Sequence, residues 1–170
     1  MSIRHIVLAA GAALALCGLA TSAFASGTAN ATANASVTVL SPTTITKTQD
    51  LVFGTVIRPT TTNTTIAMDA NGNVTATGGN GSIVSSTTSA AKFNITVQAA
   101  TTYTLASTLT FAQSGLINVA PGAPVATTGA VGTIAAAGTQ EIRYGGQFDV
   151  TPATTAQAYT GTLSVTVTYN

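Results

Sequence analysis

Apolar and polar residues alternate with a period of two along most of this chain. The clearest run is Tyr159 to Asn170 (YTGTLSVTVTYN). Extended, it puts Tyr159, Gly161, Leu163, Val165, Val167 and Tyr169 on one side and Thr160, Thr162, Ser164, Thr166 and Thr168 on the other. β-Branched and aromatic residues in strict alternation predict a half-buried strand rather than a helix. KFNITVQ, Lys92 to Gln98, repeats the pattern with Phe93, Ile95 and Val97, and further strands follow at Tyr103 to Leu105 and Thr108 to Phe111. Thr64 to Met68 and Asn73 to Thr77 flank Asp69-Ala70-Asn71-Gly72, and Asn-Gly between alternating runs predicts a hairpin.

Other stretches are less regular. Ile45 to Thr48 and Leu51 to Ile57 (LVFGTVI) read as strands, with Gly54 marking a bulge or close backbone approach. Residues 113–139, rich in Ala, Gly and Pro, predict short strands within long loops. In EIRYGGQFDV, Glu141 to Val150, the Gly145-Gly146 pair predicts a bulged strand or a tight hairpin. The segment before Leu40 also alternates, with Ala29, Ala31, Ala33, Ala35, Val37 and Val39 on one face. It reads as an extension over 26–34 leading into a first strand at about Ala35 to Leu40. No helical period with caps occurs beyond the first 25 residues. The expectation is an all-β fold, an immunoglobulin-like (Greek-key) β-sandwich of about eight to ten short strands, forming a single domain over 35–170.

The first 25 residues change how the rest is read. Arg4 and His5 precede an apolar stretch from Ile6 to Ala20, and Ala23-Phe24-Ala25 is a small-x-small site, the pattern of a cleaved signal peptide over 1–25. A lipid anchor at Cys17 fits less well, because Leu16 occupies a position that takes a small residue. The expected location is therefore secreted: periplasm, outer membrane surface or extracellular, with no membrane span after cleavage. Cleavage also removes the chain's one Cys and its one His. What remains has Lys47, Arg58, Lys92 and Arg143 balanced by Asp50, Asp69, Glu141 and Asp149. Such neutrality gives no electrostatic basis for binding nucleic acid. Charged residues make up only 5% of the whole chain, so Thr and Ser stand where charges usually cover a sheet's outer face.

Without His or Cys there is no Ser-His-Asp or Cys-His arrangement and no zinc site of the usual ligands, so neither catalysis nor a cofactor is expected. Asp69, Asn71 and Asn73 have the oxygen spacing of a calcium loop. That loop requires Gly where Val74 stands and Glu where Asn80 stands, so a hairpin turn accounts for the three residues without metal. Glu141 and Arg143, two apart on a strand, share a face and read as an ion pair.

LVFGTV at Leu51 to Val56, KFNITVQ and the final YTGTLSVTVTYN together resemble an uncharacterised family of Gly/Thr-rich secreted bacterial proteins, a domain of unknown function similar in pattern to spore coat protein U and chaperone–usher pilins. The resemblance implies a surface-assembled structural subunit, with Tyr169 matching the pilins' penultimate aromatic residue and Gly161 a glycine of their last strand. The chain departs from those subunits in lacking their disulfide and in having an Ala-rich candidate donor segment. The implied partners are further copies of the chain or a periplasmic chaperone and usher. Strand addition would engage Val37 and Val39 on one side and Tyr159, Gly161, Leu163, Val165, Val167 and Tyr169 on the other. The alternative is a monomeric binding module for a glycan or another envelope component, with Tyr144 as the candidate contact.

Overall fold

The computed structural model describes residues 27–84, 87–97, 101–134 and 138–169. The signal-peptide reading of 1–25 falls outside them. The chain divides into two units, Met1–Val37 and Thr38–Asn170. Of the first, residues 27–37 are exposed and belong to no strand.

The second unit is all-β. Its strands are β1 (Thr44–Gln49), β2 (Thr55–Ile57), β3 (Thr64–Met68), β4 (Val74–Gly78), β5 (Ser82–Val84), β6 (Ala91–Val97), β7 (Thr101–Phe111), β8 (Leu116–Pro121), β9 (Val125–Ala126), β10 (Thr133–Ile134), β11 (Gly138–Tyr144), β12 (Gly146–Val150) and β13 (Gly161–Tyr169). They pair antiparallel in the orders β1-β6-β11-β9, β10-β7-β13, β4-β3-β12-β8 and β2-β5, a β-sandwich arrangement. No helix among the described residues is long and apolar enough to cross a membrane.

The alternation read from the sequence decides which side chains enter the core. On β6, Ala91, Phe93, Ile95 and Val97 are buried, whereas Lys92, Asn94 and Thr96 face the other way. Ile142 and Tyr144 of β11 lie on that same buried side. They meet Tyr103 of β7, with Leu163, Val165 and Val167 of β13 half-buried against the group. Fully burying each of these large aliphatic side chains contributes about 1.5–3 kcal/mol. A second cluster gathers Ile66, Phe148 and Val150 with Phe53, Phe111 and Leu116 around it. Phe148 is its hub, meeting Phe53 edge-on at 4.9 Å and Phe111 at 5.5 Å between ring centroids.

Gly145 joins the two clusters. It is the single residue between β11 and β12, which belong to different sheets, so it forms neither a hairpin nor a bulge within one strand. The chain runs straight on and changes partners there, from β6 to β3. Two other expectations are corrected. Ala35 to Leu40 forms no strand and is exposed, and the first strand starts at Thr44. Alanines offer little area to bury, and Pro42, without an N–H, interrupts the segment before it reaches a partner. Among the described residues the strands number thirteen rather than eight to ten, because β2, β5, β9 and β10 span only two or three residues and are too short to show a period.

The Asn-Gly hairpin forms as expected, with β3 and β4 in register from Thr64↔Gly78 to Met68↔Val74. Gly72 takes the left-handed conformation its turn needs, φ +89°. The Asp69 carboxylate accepts hydrogen bonds from the Asn71 and Asn73 backbone N–H groups (2.8 and 2.9 Å) and from Asn73 Nδ2 (2.9 Å). These bonds, the Asn73 side chain foremost, hold its pKa below the ordinary 3.8. A carboxylate depressed by folding contributes stability that is complete above its unfolded pKa and lost as pH falls through the folded one. The Asn71 and Asn73 amide resonances are therefore expected to titrate with a midpoint below 3.8, and Asp69→Asn should abolish that titration; a midpoint at or above 3.8 contradicts the assignment.

Candidate functional site

The feature with most scope for function is an open side of the sandwich. Among the described residues, β1 and β13 each end the order of their own sheet, so each presents an unpaired edge. A cleft of about 830 Å³ is walled by the end of β1 with the residues after it and by the start of β13 with the residues before it. Its floor is apolar, built from Leu51, Phe53, Phe93, Phe111, Phe148 and Leu163. Charge is confined to Lys47, Asp50 and Arg58, and Lys47 Nζ lies 2.5 Å from Asp50 Oδ1. Arg58 donates from Nη1 to the Thr154 carbonyl at 3.0 Å.

β13 is held firmly on its inner side. Every residue from Gly161 to Tyr169 faces one on β7, from Phe111 back to Tyr103, without a break in register. The pairing continues past Gly161, where Ala112 N–H donates to the Thr160 carbonyl at 2.8 Å. The Gln113 side chain then acts as one more peptide group: its Oε1 accepts from Thr160 N–H at 2.8 Å and its Nε2 donates to Thr160 Oγ1 at 3.0 Å. Antiparallel pairs alternate between hydrogen-bonded and non-bonded. Because Thr160 turns its peptide groups toward β7, so do Thr162, Ser164, Thr166 and Thr168. The peptide groups of Gly161, Leu163, Val165 and Val167 therefore face the open edge, and the apolar side chains of Leu163, Val165 and Val167 lean toward the core.

Glycine at 161 is required by the fold itself. A Cβ there would lie 2.6 Å from the Thr110 carbonyl oxygen and 3.0 Å from the Phe111 ring. Tyr159 is half-buried and donates its hydroxyl to the Thr155 carbonyl at 2.9 Å. Tyr169 ends β13 opposite Tyr103, and its side chain lies outside the described residues. The structure thus gathers Gly161, Leu163, Val165 and Val167 along one edge. Val37 and Val39 are 85% and 81% exposed. Leu51, Phe53 and Phe111, which line the cleft, were not singled out by sequence reasoning, although the Phe53-Gly54 break in alternation was a usable signal.

Tyr144 is corrected. It is 0% exposed and packs edge-on against Phe93 at 6.0 Å, so it is closed to an external ligand. Ile142 and Tyr144 before the glycines and Phe148 to Val150 after them are buried, and Tyr144 shares the inward phase of Ile142. Burial pushes its phenol pKa up, with Ser107 acting the other way, yet the hydroxyl has no partner at hydrogen-bond geometry. A buried unpaired hydroxyl costs stability, so Tyr144→Phe is expected to raise the unfolding free energy by about 1 kcal/mol, read from a urea midpoint. A loss of 1 kcal/mol or more would show that the hydroxyl has a partner. Tyr103, by contrast, donates its hydroxyl to Gln140 Oε1, and Gln140 Nε2 donates to the Thr128 carbonyl at 2.5 Å.

Two further sequence candidates have structural explanations. Arg143 Nε donates to Glu141 Oε1 at 2.8 Å, and Arg143 followed by the Thr127 hydroxyl holds the Glu141 carboxyl below its ordinary range. Asp149 is buried and accepts from Thr65 Oγ1 at 2.6 Å and Asn118 Nδ2 at 2.5 Å. No three acidic, His or Cys side chains cluster closely enough to hold a metal among the described residues.

A β-sandwich with an uncharged open edge at β13 beside an apolar cleft, among the described residues, defines a class of domain without naming an activity. The chain belongs to the family described as Domain of unknown function (DUF4402), whose sequence model matches residues 43–169. Searches of the curated proteins and of the solved structures return no match.

Proposed function

We propose that this chain is a secreted, non-catalytic structural subunit of a bacterial cell surface that assembles by β-strand addition. The observation that supports this reading is the pairing of a vacant edge with a candidate strand in one sequence. β13 offers unpaired peptide groups over an apolar cleft, and the residues before β1 include Val37 and Val39, both largely exposed and in no strand. A strand laid along β13 satisfies those peptide groups and covers Leu163, Val165 and Val167 together. A chaperone strand would fit the same edge during export. The binding-module alternative loses its candidate contact, because Tyr144 is buried.

Light scattering on the secreted protein with and without residues 27–40 tests the reading. The expected result is a series of oligomers for the intact chain and a monomer for the shortened one. An intact chain that stays monomeric at high concentration, or a shortened chain that still assembles, would overturn it.

A further inference from the structure

The cleft has a charge pattern as well as an apolar floor. Three charged side chains line it, and two of them cancel, since Lys47 Nζ lies 2.5 Å from Asp50 Oδ1. That leaves Arg58, which is exposed and forms no ion pair among the described residues. An apolar floor with one net positive charge at its mouth is complementary to a molecule with an apolar body and one negative end.

Arg58 is also held in place. Pro59, directly after it, is fully buried, and its ring fixes the backbone there. The Thr154 carbonyl that accepts from Nη1 at 3.0 Å belongs to a buried residue. The Thr154 hydroxyl donates to the Gly115 carbonyl at 2.8 Å and accepts from the Thr151 N–H at 2.9 Å, so that carbonyl is anchored. With Nη1 engaged, the edge formed by Nε and Nη2 keeps its donors for a partner outside the described residues. Two N–H groups along one edge of a guanidinium match the two oxygens of a carboxylate.

The floor decides the other end of the ligand. Phe93 belongs to one hydrophobic cluster and Leu163 packs against it; Phe148 belongs to the second, with Phe53 and Phe111 around it. The apolar strip therefore crosses both clusters. At about 830 Å³ the cleft falls within the roughly 300–1,000 Å³ of ligand sites. A flexible aliphatic chain can follow such a strip, whereas a rigid body needs a matching outline. We infer that the cleft binds a long-chain carboxylate, with its carboxylate on the Nε–Nη2 edge of Arg58 and its chain against the phenylalanine floor. This site uses the floor and the Arg58 mouth, not the peptide groups of β13, so it stands apart from the strand-addition reading.

Titration calorimetry on the purified protein, with decanoate, decanol and decyltrimethylammonium as monomeric probes, tests head and body separately. Decanoate is expected to bind roughly tenfold more tightly than decanol, the factor that a charge-assisted hydrogen bond supplies, and the ammonium most weakly. From octanoate to decanoate to dodecanoate, affinity should rise by roughly fourfold per methylene. Arg58→Gln should bring decanoate down to the level of decanol and leave decanol unchanged, a split that a purely structural role for Arg58 would not produce. The amide resonances of Leu51, Phe53, Phe111 and Leu163 should shift as decanoate is added. Equal affinity for acid and alcohol in the parent protein, or an unaltered ratio between them in Arg58→Gln, would overturn the carboxylate assignment. Affinity independent of chain length would overturn the floor as the seat of the chain, and shifts confined to residues outside the cleft would overturn the location. Failure of all three probes to bind would remove the site altogether.

Discussion

Gly145→Ala is expected to destabilise the fold by more than about 3 kcal/mol. A Cβ at 145 would sit 1.9 Å from the Met68 carbonyl oxygen, 2.7 Å from the Met68 carbonyl carbon and 2.8 Å from that of Asp69. All three are backbone atoms, so no side chain can swing aside. Relief requires β3 to move, yet β3 is fixed to β12 from Gly146↔Met68 to Val150↔Thr64 and to β4 along its other edge. Domains have about 5–15 kcal/mol in total, so a loss of this size takes up much of the margin. Urea denaturation reads it as a fall in midpoint. A Gly145→Ala protein with a midpoint close to that of the parent would mean that β3 and β12 are not packed as described.

Val37→Asp with Val39→Asp is expected to abolish assembly while leaving the folded domain unchanged. Both side chains are largely exposed, so the substitutions cost the isolated subunit almost nothing. In the cleft each valine would contribute about 1.5–3 kcal/mol of burial, and each aspartate would add the cost of placing a carboxylate on an apolar floor. Losing two valines alone amounts to about 3–6 kcal/mol, a weakening of roughly a hundredfold or more at 1.4 kcal/mol per decade. Sedimentation velocity should show only monomer, with an unaltered circular dichroism spectrum and thermal midpoint. Oligomers that persist in the double variant would exclude residues 27–40 as donor.

Much of the fold was legible because alternation is a local property. β6, β13 and the β3–β4 hairpin need only their own residues to declare which side is inward. What alternation cannot supply is the neighbour. Ala29 to Val39 alternates as strictly as β13 does, yet residues 27–43 are in no strand, because alternation carries no information about which neighbour, if any, a segment meets. The same gap explains Tyr144. The phase of β11 placed it beside Ile142 correctly, but the Gly145-Gly146 pair after it read as a bulge or a tight hairpin, whereas Gly145 marks the backbone of β3 passing too close for any side chain. The cleft was the least legible part. Its floor combines Leu51 and Phe53 from an irregular segment with Phe93, Phe111, Phe148 and Leu163 from four different strands. No spacing along the sequence links them.

The uninterrupted passage of residues 138–150 through Gly145 also bears on how the domain comes apart. β11 lies between β6 and β9, and β12 between β3 and β8, so this one stretch of backbone is interior to both sheets it joins. Neither hydrophobic cluster can melt without releasing a strand that continues into the other. The two act as a single cooperative unit. Partial opening is left to the periphery, such as the two-residue β9 and β10, and the centre yields only as a whole.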